Sequence, residues 1–404
     1  MFIFKKLYCR AFQGAFRGVL PFLPYREPRI LSSYGELIQA LKKENSTAVL
    51  MIAGKTVTRH RLVEPLELAM QNAGIKYVTY DKTQPNPTVE NVEEALSLYL
   101  ESRCDAIIAV GGGSAIDCAK AVGARVAHPN KSLRKMGGVM RVTRKLPTLI
   151  AIPTTAGTGS EVTLASVITD DKAHHKYAIM SFPLIPHYAM LDASLTYSLP
   201  PQLTATTGMD ALTHAVEAYI GRSTTKKTRA LALEATKLVF GNIERAYTDG
   251  KNSEARENML IASYKAGIAF SMAYVGYVHA IAHAIGGKYG TPHGLANAVI
   301  LPRVLEGYGK SAWSKLHRLG IAAGVCNESD SAEIGAKKFI TAIKELNARM
   351  NIPAVLSEIV ISDIPELARH AAREANPLYP VPKLMSAAEL EKFFHEIADQ
   401  PPIN

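Results

Sequence analysis

The chain has 404 residues, 48% of them hydrophobic and 20% charged, with a formal net charge of +10. That balance excludes a mostly disordered chain, and the length calls for one or two large domains. No apolar run approaches the ~20 residues of a membrane span, and the scattered Cys9, Cys104, Cys118 and Cys326 exclude a disulfide framework or a Cys-based zinc site, leaving reduced thiols in a cytoplasmic protein as the expectation.

Residues 1–29 read as a basic amphipathic arm. The first 26 contain Lys5, Lys6, Arg10, Arg17 and Arg26 and no acid, with Phe2, Phe4, Leu7, Phe12 and Phe16 between them. No continuous apolar core precedes a small-residue cleavage site, so a secretory signal is excluded. A transit peptide or a membrane-surface helix fits the composition. The plainer expectation is an arm that packs on its own body.

From 30 to 200, helix-period stretches such as 34–43 and 90–101 alternate with short β-rich runs. The runs are 47–53, 76–80, 105–110, 148–152 and 187–191. This alternation predicts an α/β domain with a parallel sheet covered on both faces. Past Pro200-Pro201 the strand signal fades. Segments 208–220, 227–246, 254–272, 313–324, 331–349, 363–374 and 387–398 read as helices, so residues 201–404 are expected to form an all-helical domain.

The run 105–110 leads straight into GGGSAIDCAK, residues 111–120, and then a helix. Gly111, Gly112 and Gly113 allow a sharp turn and a close backbone approach, and the helix that follows aims its free N–H groups at a ligand. Gly111 to Ser114, with Asp117 in the same segment, are candidates for holding a diphosphate, although a tight strand-to-helix turn explains the glycines equally well. A second small-residue loop, 152–163, offers Thr154, Thr155, Thr158 and Ser160. Two such loops at the C-terminal ends of strands are where an open α/β sheet binds ligands. Eight bases and no acid lie between Asp117 and Glu161, which favours an anionic cofactor.

Asp210 and His214 stand four apart, on one face of a helix, able to grip one ion. His279 and His283 are also four apart, and His293 follows a Gly/Pro turn. One carboxylate with two or three imidazoles suits Fe²⁺ or Zn²⁺. Spacing alone pairs His279 with His283 as ligands.

GGGSAIDCAK, IPTTAGTGSE, GMDALTHAVEAY and GYVHAIAHAIGGKYGTPHGLANAVILP together resemble the iron-containing (group III) alcohol dehydrogenase family, in order over roughly residues 28–400. The resemblance implies a dinucleotide-binding α/β domain, a helical domain of the dehydroquinate synthase-like architecture, and catalysis in the cleft between them. By motif position it implies Asp210, His214, His279 and His293 as metal ligands. It moves His283 off the ion to a place near nicotinamide and substrate, where it relays a proton or orients a partner. It puts Thr154, Thr155, Thr158 and Ser160 along the nicotinamide half, Lys176 near the ribose, and Phe270 in the substrate pocket, with Tyr274 in the same stretch. The expected reaction is hydride transfer between a small primary alcohol or aldehyde and a nicotinamide cofactor, NAD(P), in a homodimer with Fe²⁺, or alternatively Zn²⁺.

Many family members carry an Asp after the first strand that binds the adenosine ribose and repels a 2′-phosphate. The matching position here is Gly54, followed by Lys55, Thr56, Thr58 and Arg59. Loss of the carboxylate leans the cofactor towards NADP(H); the alternative is that Asp81 reads the ribose. Three other functions fit parts of the pattern: a glycerol dehydrogenase-like zinc enzyme, a dehydroquinate synthase-like lyase, and a nucleic-acid-binding protein. The last lacks any helix-turn-helix, RNA-binding motif or metal finger.

Overall fold

A computed structural model describes residues 2–19, 22–171 and 175–399. The chain divides into two units, Pro24–Ser198 and a discontinuous one that joins Met1–Leu23 to Leu199–Asn404.

In the first unit the strands are β1 (Arg29–Leu31), β2 (Ala48–Gly54), β3 (Lys76–Thr83), β4 (Ala106–Gly111), β5 (Gly138–Val139), β6 (Thr148–Pro153), β7 (Ala165–Asp170), β8 (His175–Met180) and β9 (Tyr188–Met190). Six of them make one parallel sheet in the order β1-β9-β6-β4-β2-β3. The central strands are apolar along their whole length because both faces are covered. Alternate side chains feed two cores. Leu50, Ile52, Ile107 and Ala109 point to one, and Val49, Met51, Ile108 and Val110 to the other. Helices α2 (Tyr34–Lys43), α3 (Lys55–Arg59), α4 (Glu64–Asn72), α5 (Val89–Glu101), α6 (Gly113–Ala127) and α7 (Leu133–Met136) follow in chain order, after α1 (Phe2–Val19). Ala95, Ile116 and Val122 of α5 and α6 pack on the first core, and Leu37, Leu66 and Met70 of α2 and α4 on the second.

The five expected strands are thus β2, β3, β4, β6 and β9. Unforeseen are the three-residue β1 and the small sheet β5-β8-β7, in which β7 and β8 pair antiparallel. Its strands mix polar and apolar residues, so no uniform run announces them.

The second unit is helical: α8 (Pro201–Ile220), α9 (Lys226–Thr248), α10 (Ser253–Ala273), α11 (Tyr277–Tyr289), α12 (His293–Tyr308), α13 (Trp313–Ala322), α14 (Ala332–Arg349), α15 (Ile364–Ala375) and α16 (Ala387–Ile397). Helix α8 opens on Pro201, whose fixed φ and missing N–H suit a first turn. From Gly208 to Ile220 every residue is buried, which makes α8 the central helix of this unit. Among the described residues, no single helix is long and apolar enough to cross a membrane.

Helix α1 packs on its own body, and the manner of its packing is the unexpected part. It docks on its own unit through polar groups. Arg10 donates from Nη1 to Val381 O at 2.8 Å and from Nη2 to Pro382 O at 3.0 Å. Gln13 Nε2 donates to Tyr379 O at 2.7 Å. Cys9 and Gln13 are buried, while Phe4, Leu7, Tyr8 and Phe12 face outward.

Candidate metal centre and cofactor loops

Helix α8 carries Asp210, His214 and Glu217 at positions i, i+4 and i+7, one above another on the same face. His279 sits in the first turn of α11 and His293 is the first residue of α12. Donor atoms of Asp210, His214, His279 and His293 all lie within 4.8 Å of one another. Asp210, His214 and His279 are buried and His293 is half-buried. The Asp210 carboxylate is 3.5 Å from His293 Nε2 and 3.9 Å from His279 Nε2. The His214 ring stacks on His279 at 4.5 Å and on Phe270 at 4.1 Å.

His283 stands outside this set. Its Nδ1 lies 2.7 Å from Glu374 Oε1, which also accepts from Tyr379 OH at 2.7 Å. Its ring stacks on His293 at 5.3 Å. The i, i+4 pairing of His279 with His283 on one ion, read from spacing, therefore does not describe the cluster. Their rings are 6.0 Å apart edge to face, and His283 turns to Glu374.

Two residues that sequence reasoning passed over complete the arrangement. Glu217 Oε2 lies 2.6 Å from His279 Nδ1 and accepts from Gly276 N at 2.7 Å, while Oε1 accepts from Val278 N at 2.8 Å. A proton on Nδ1 leaves Nε2 of His279 as a lone-pair donor, the usual second-layer device of metal-bound histidines. Burial pushes the Glu217 carboxyl up to about 7, against the three N–H groups that pull it down. A Cβ at Gly276 would stand 2.6 Å from Glu217 Oε1, so only glycine admits the carboxylate here.

Asn297 Nδ2 donates to Asp210 Oδ1 at 2.7 Å and lies 3.1 Å from His293 Nε2 and 3.4 Å from His279 Nε2. Three of the cluster's groups thus converge on the one amide nitrogen of Asn297. Burial first, then the neighbouring imidazoles of His214, His293 and His283, hold His279 well below its ordinary pKa, so it stays neutral. Imidazoles and a carboxylate converging on one point fit a divalent cation.

Phe270, in the last turn of α10, packs against His214. Tyr274, the cap of that helix, has φ 65° and ψ 177°, a conformation nearly reserved for glycine. Tyr277 is a packing residue, its hydroxyl bonded to Asn376 and Met385.

In the first unit, β4 ends at Gly111 and α6 begins at Gly113. A Cβ at Gly113 would stand 2.9 Å from Thr158 Cγ2, and one at Gly112 would be 3.2 Å from Thr155 Oγ1. The two small-residue loops therefore touch, and the glycines are needed for that approach. Thr154 N donates to Gly111 O at 3.0 Å. Ser114 Oγ accepts from Asn86 N at 3.3 Å, and Asn86 Oδ1 accepts from Lys176 Nζ at 2.7 Å. Asp117 and Ser160 face each other: Ser160 Oγ donates to Asp117 at 2.6 Å. The buried Lys120 Nζ donates to Ser160 Oγ, Thr163 and Ala165 O at 2.8 to 3.1 Å. These buried groups weld α6 to the second loop, and burial brings Lys120 down to about 8 against the opposing pull of Asp117 and Glu161.

Gly54 closes β2 and precedes α3. A Cβ there would have Thr83 O at 3.8 Å as its nearest neighbour, so a side chain fits. Thr58 Oγ1 donates to Asp81 Oδ2 at 3.3 Å.

Two family models match the chain: iron-containing alcohol dehydrogenase over residues 28–193, and the C-terminal part of the same family over 204–398. The chain belongs to the iron-containing alcohol dehydrogenase family. It is 36% identical to the 1,3-propanediol dehydrogenase of Citrobacter freundii, over 94% of this chain and 98% of that one. It is 37% identical to an NADPH-dependent butanol dehydrogenase of Clostridium saccharobutylicum, over 81% and 84%. A crystal structure of a 1,3-propanediol oxidoreductase superposes with a TM-score of 0.88 at 34% identity, covering 92% of this chain and 99% of that one. Membership in the iron-containing alcohol dehydrogenases makes the protein an oxidoreductase of alcohols and aldehydes. It selects that function over the lyase and the nucleic-acid-binding protein.

Proposed function

We propose that Asp210, His214, His279 and His293 hold one divalent ion, Fe²⁺ in preference to Zn²⁺, and that the enzyme oxidises a small primary alcohol, or reduces its aldehyde, with NADP(H). The convergence of the four donor groups around a single point is the observation that carries the reading. The absence of a thiolate and the presence of a carboxylate favour the harder ion. When bound, the ion supplies Lewis-acid polarisation of the substrate oxygen, and the nicotinamide supplies the hydride carrier.

The chain's own groups do the rest. Glu217 holds the His279 proton on Nδ1. Glu374 does the same for His283, whose other nitrogen then exchanges a proton with the substrate side. Phe270 and the strained Tyr274 bound a compact pocket that favours short linear alcohols. The Gly111–Ser114 turn holds the diphosphate on the N-terminus of α6. Thr154, Thr155 and Thr158 line the nicotinamide half. Asp117 and Ser160, bonded to each other, keep the two loops in register, and Lys176 serves the ribose side.

Replacement of His279 by Ala removes both the metal, read by elemental analysis, and turnover. Full metal occupancy in that variant would overturn the ligand set. The cofactor reading rests on Gly54, where no carboxylate repels a 2′-phosphate and Lys55 and Arg59 follow. Gly54→Asp fits sterically, so it is expected to cut kcat/KM for NADPH selectively and leave that for NADH. An unchanged ratio, or rejection of NADPH by wild type, would assign the discrimination to another group such as Asp81.

A further inference from the structure

Among its described side chains, helix α1 turns an apolar face outward. A helix docked on its own domain buries its apolar stripe and shows water its polar face. Here the buried face holds Gln13 with Cys9, and Arg10 and Gln13 fasten it to the 377–382 loop. The outward face is apolar: Phe4 is 79% exposed, Leu7 68% and Tyr8 61%, with Phe12 and Val19 continuing the stripe and Phe22, at 83%, just beyond it. Their spacing, 4-8-12 and 7 beside 8, keeps them on one side. A contiguous apolar face of this kind marks a docking surface.

The flanks are basic. At one end Lys6, Arg369 and Arg373 line a common cavity. Towards the other end Arg17, Arg222 and Arg229 crowd Lys315, which donates to Ile220 O at 3.0 Å. The first 26 residues hold five bases and no acid. The family model begins only at residue 28, and the 1,3-propanediol oxidoreductase structure is matched almost in full by 92% of this chain. The arm thus lies outside the residues that the family models match.

We propose that α1 is a docking helix for an anionic lipid surface, with the aromatic stripe entering the headgroup boundary and the basic flanks meeting the lipid charge. A second copy of this chain is the rival occupant. Charge favours the bilayer, because the acid-free arm belongs to a chain of net charge +10, so a second copy presents the same sign whereas an anionic bilayer offers the opposite one. The pattern of aromatic groups with Lys and Arg is the one that holds helices in the plane of a membrane.

The test is flotation of the full-length enzyme with vesicles of phosphatidylglycerol and phosphatidylcholine, beside vesicles of phosphatidylcholine alone, together with sedimentation mass. The enzyme is expected to float with the anionic vesicles, to stay behind with the neutral ones, and to be released by about 0.5 M salt, where screening reaches within a few ångströms. The triple variant Phe4→Ser, Leu7→Ser, Phe12→Ser is expected to lose flotation at least about tenfold while keeping wild-type mass and alcohol oxidation in solution. The changed side chains face outward, and retained activity checks that the fold is intact. No flotation with anionic vesicles, or equal flotation with both kinds, overturns the proposal. A drop in sedimentation mass of the triple variant with no loss of vesicle binding also overturns it and assigns the stripe to a second copy.

Discussion

The Glu217 carboxylate accepts from two backbone N–H groups and from His279, and each of those bonds uses an oxygen lone pair. A glutamine in its place would turn an NH₂ group towards an N–H donor. Glu217→Gln is therefore expected to weaken metal affinity by about 10- to 100-fold, measured by chelator competition, while the far-UV spectrum stays that of a folded helical protein. Asp210 and His214 were legible in the sequence because helix spacing places them together. Glu217 continues the same stripe one turn on, yet a helical glutamate ordinarily faces water, and only the burial of α8 from Gly208 onward gives it a role. His293 was beyond any spacing rule, since it reaches the cluster by starting a new helix after the α11–α12 turn. The resemblance to known motifs supplied it.

At the scale of elements, the strands that could be read are those buried on both faces, whose composition is uniform. The edge strand β1 and the β7–β8 pair were illegible, because three residues or a mixed pattern leave no periodic signal. His187, just before β9, joins that strand to β6: its N donates to Leu149 O at 2.8 Å and its Nδ1 accepts from Leu149 N at 3.1 Å. The accepting nitrogen must be unprotonated. Burial, then Arg26 and Lys145, lower its pKa from 6.5 to about 4. A pKa depressed on folding gives a contribution that is whole above 6.5. It drains away as the pH falls from 6.5 towards 4, because the unfolded chain takes the proton first. Urea midpoints are expected to drop between pH 7 and pH 4.5, and to drop less in His187→Asn, whose side-chain oxygen accepts the same bond without titrating. An equal drop in both would place the acid sensitivity elsewhere.

Across the whole molecule, the proposed ligand sites fall in different units: the candidate metal cluster in α8, α11 and α12, the Gly-rich turn in the sheet unit. Binding to the folded state stabilises by mass action, about 4 kcal/mol at a thousandfold excess over Kd. Chelation is expected to lower the melting temperature and to raise hydrogen exchange in α8, α11 and α12, with the start of α6 unchanged. Raised exchange confined to the sheet unit would contradict the ligand set. The sheet unit is continuous in sequence, whereas the helical one takes its first 23 residues from the start of the chain. Arg10 and its acceptor Val381 are 371 positions apart. At about 5 to 20 residues per second on the ribosome, the arm is born about 20 to 70 s before its anchor exists. During synthesis the nascent chain thus trails an aromatic, basic helix with no home, and the α/β half has time to fold before the arm finds its seat.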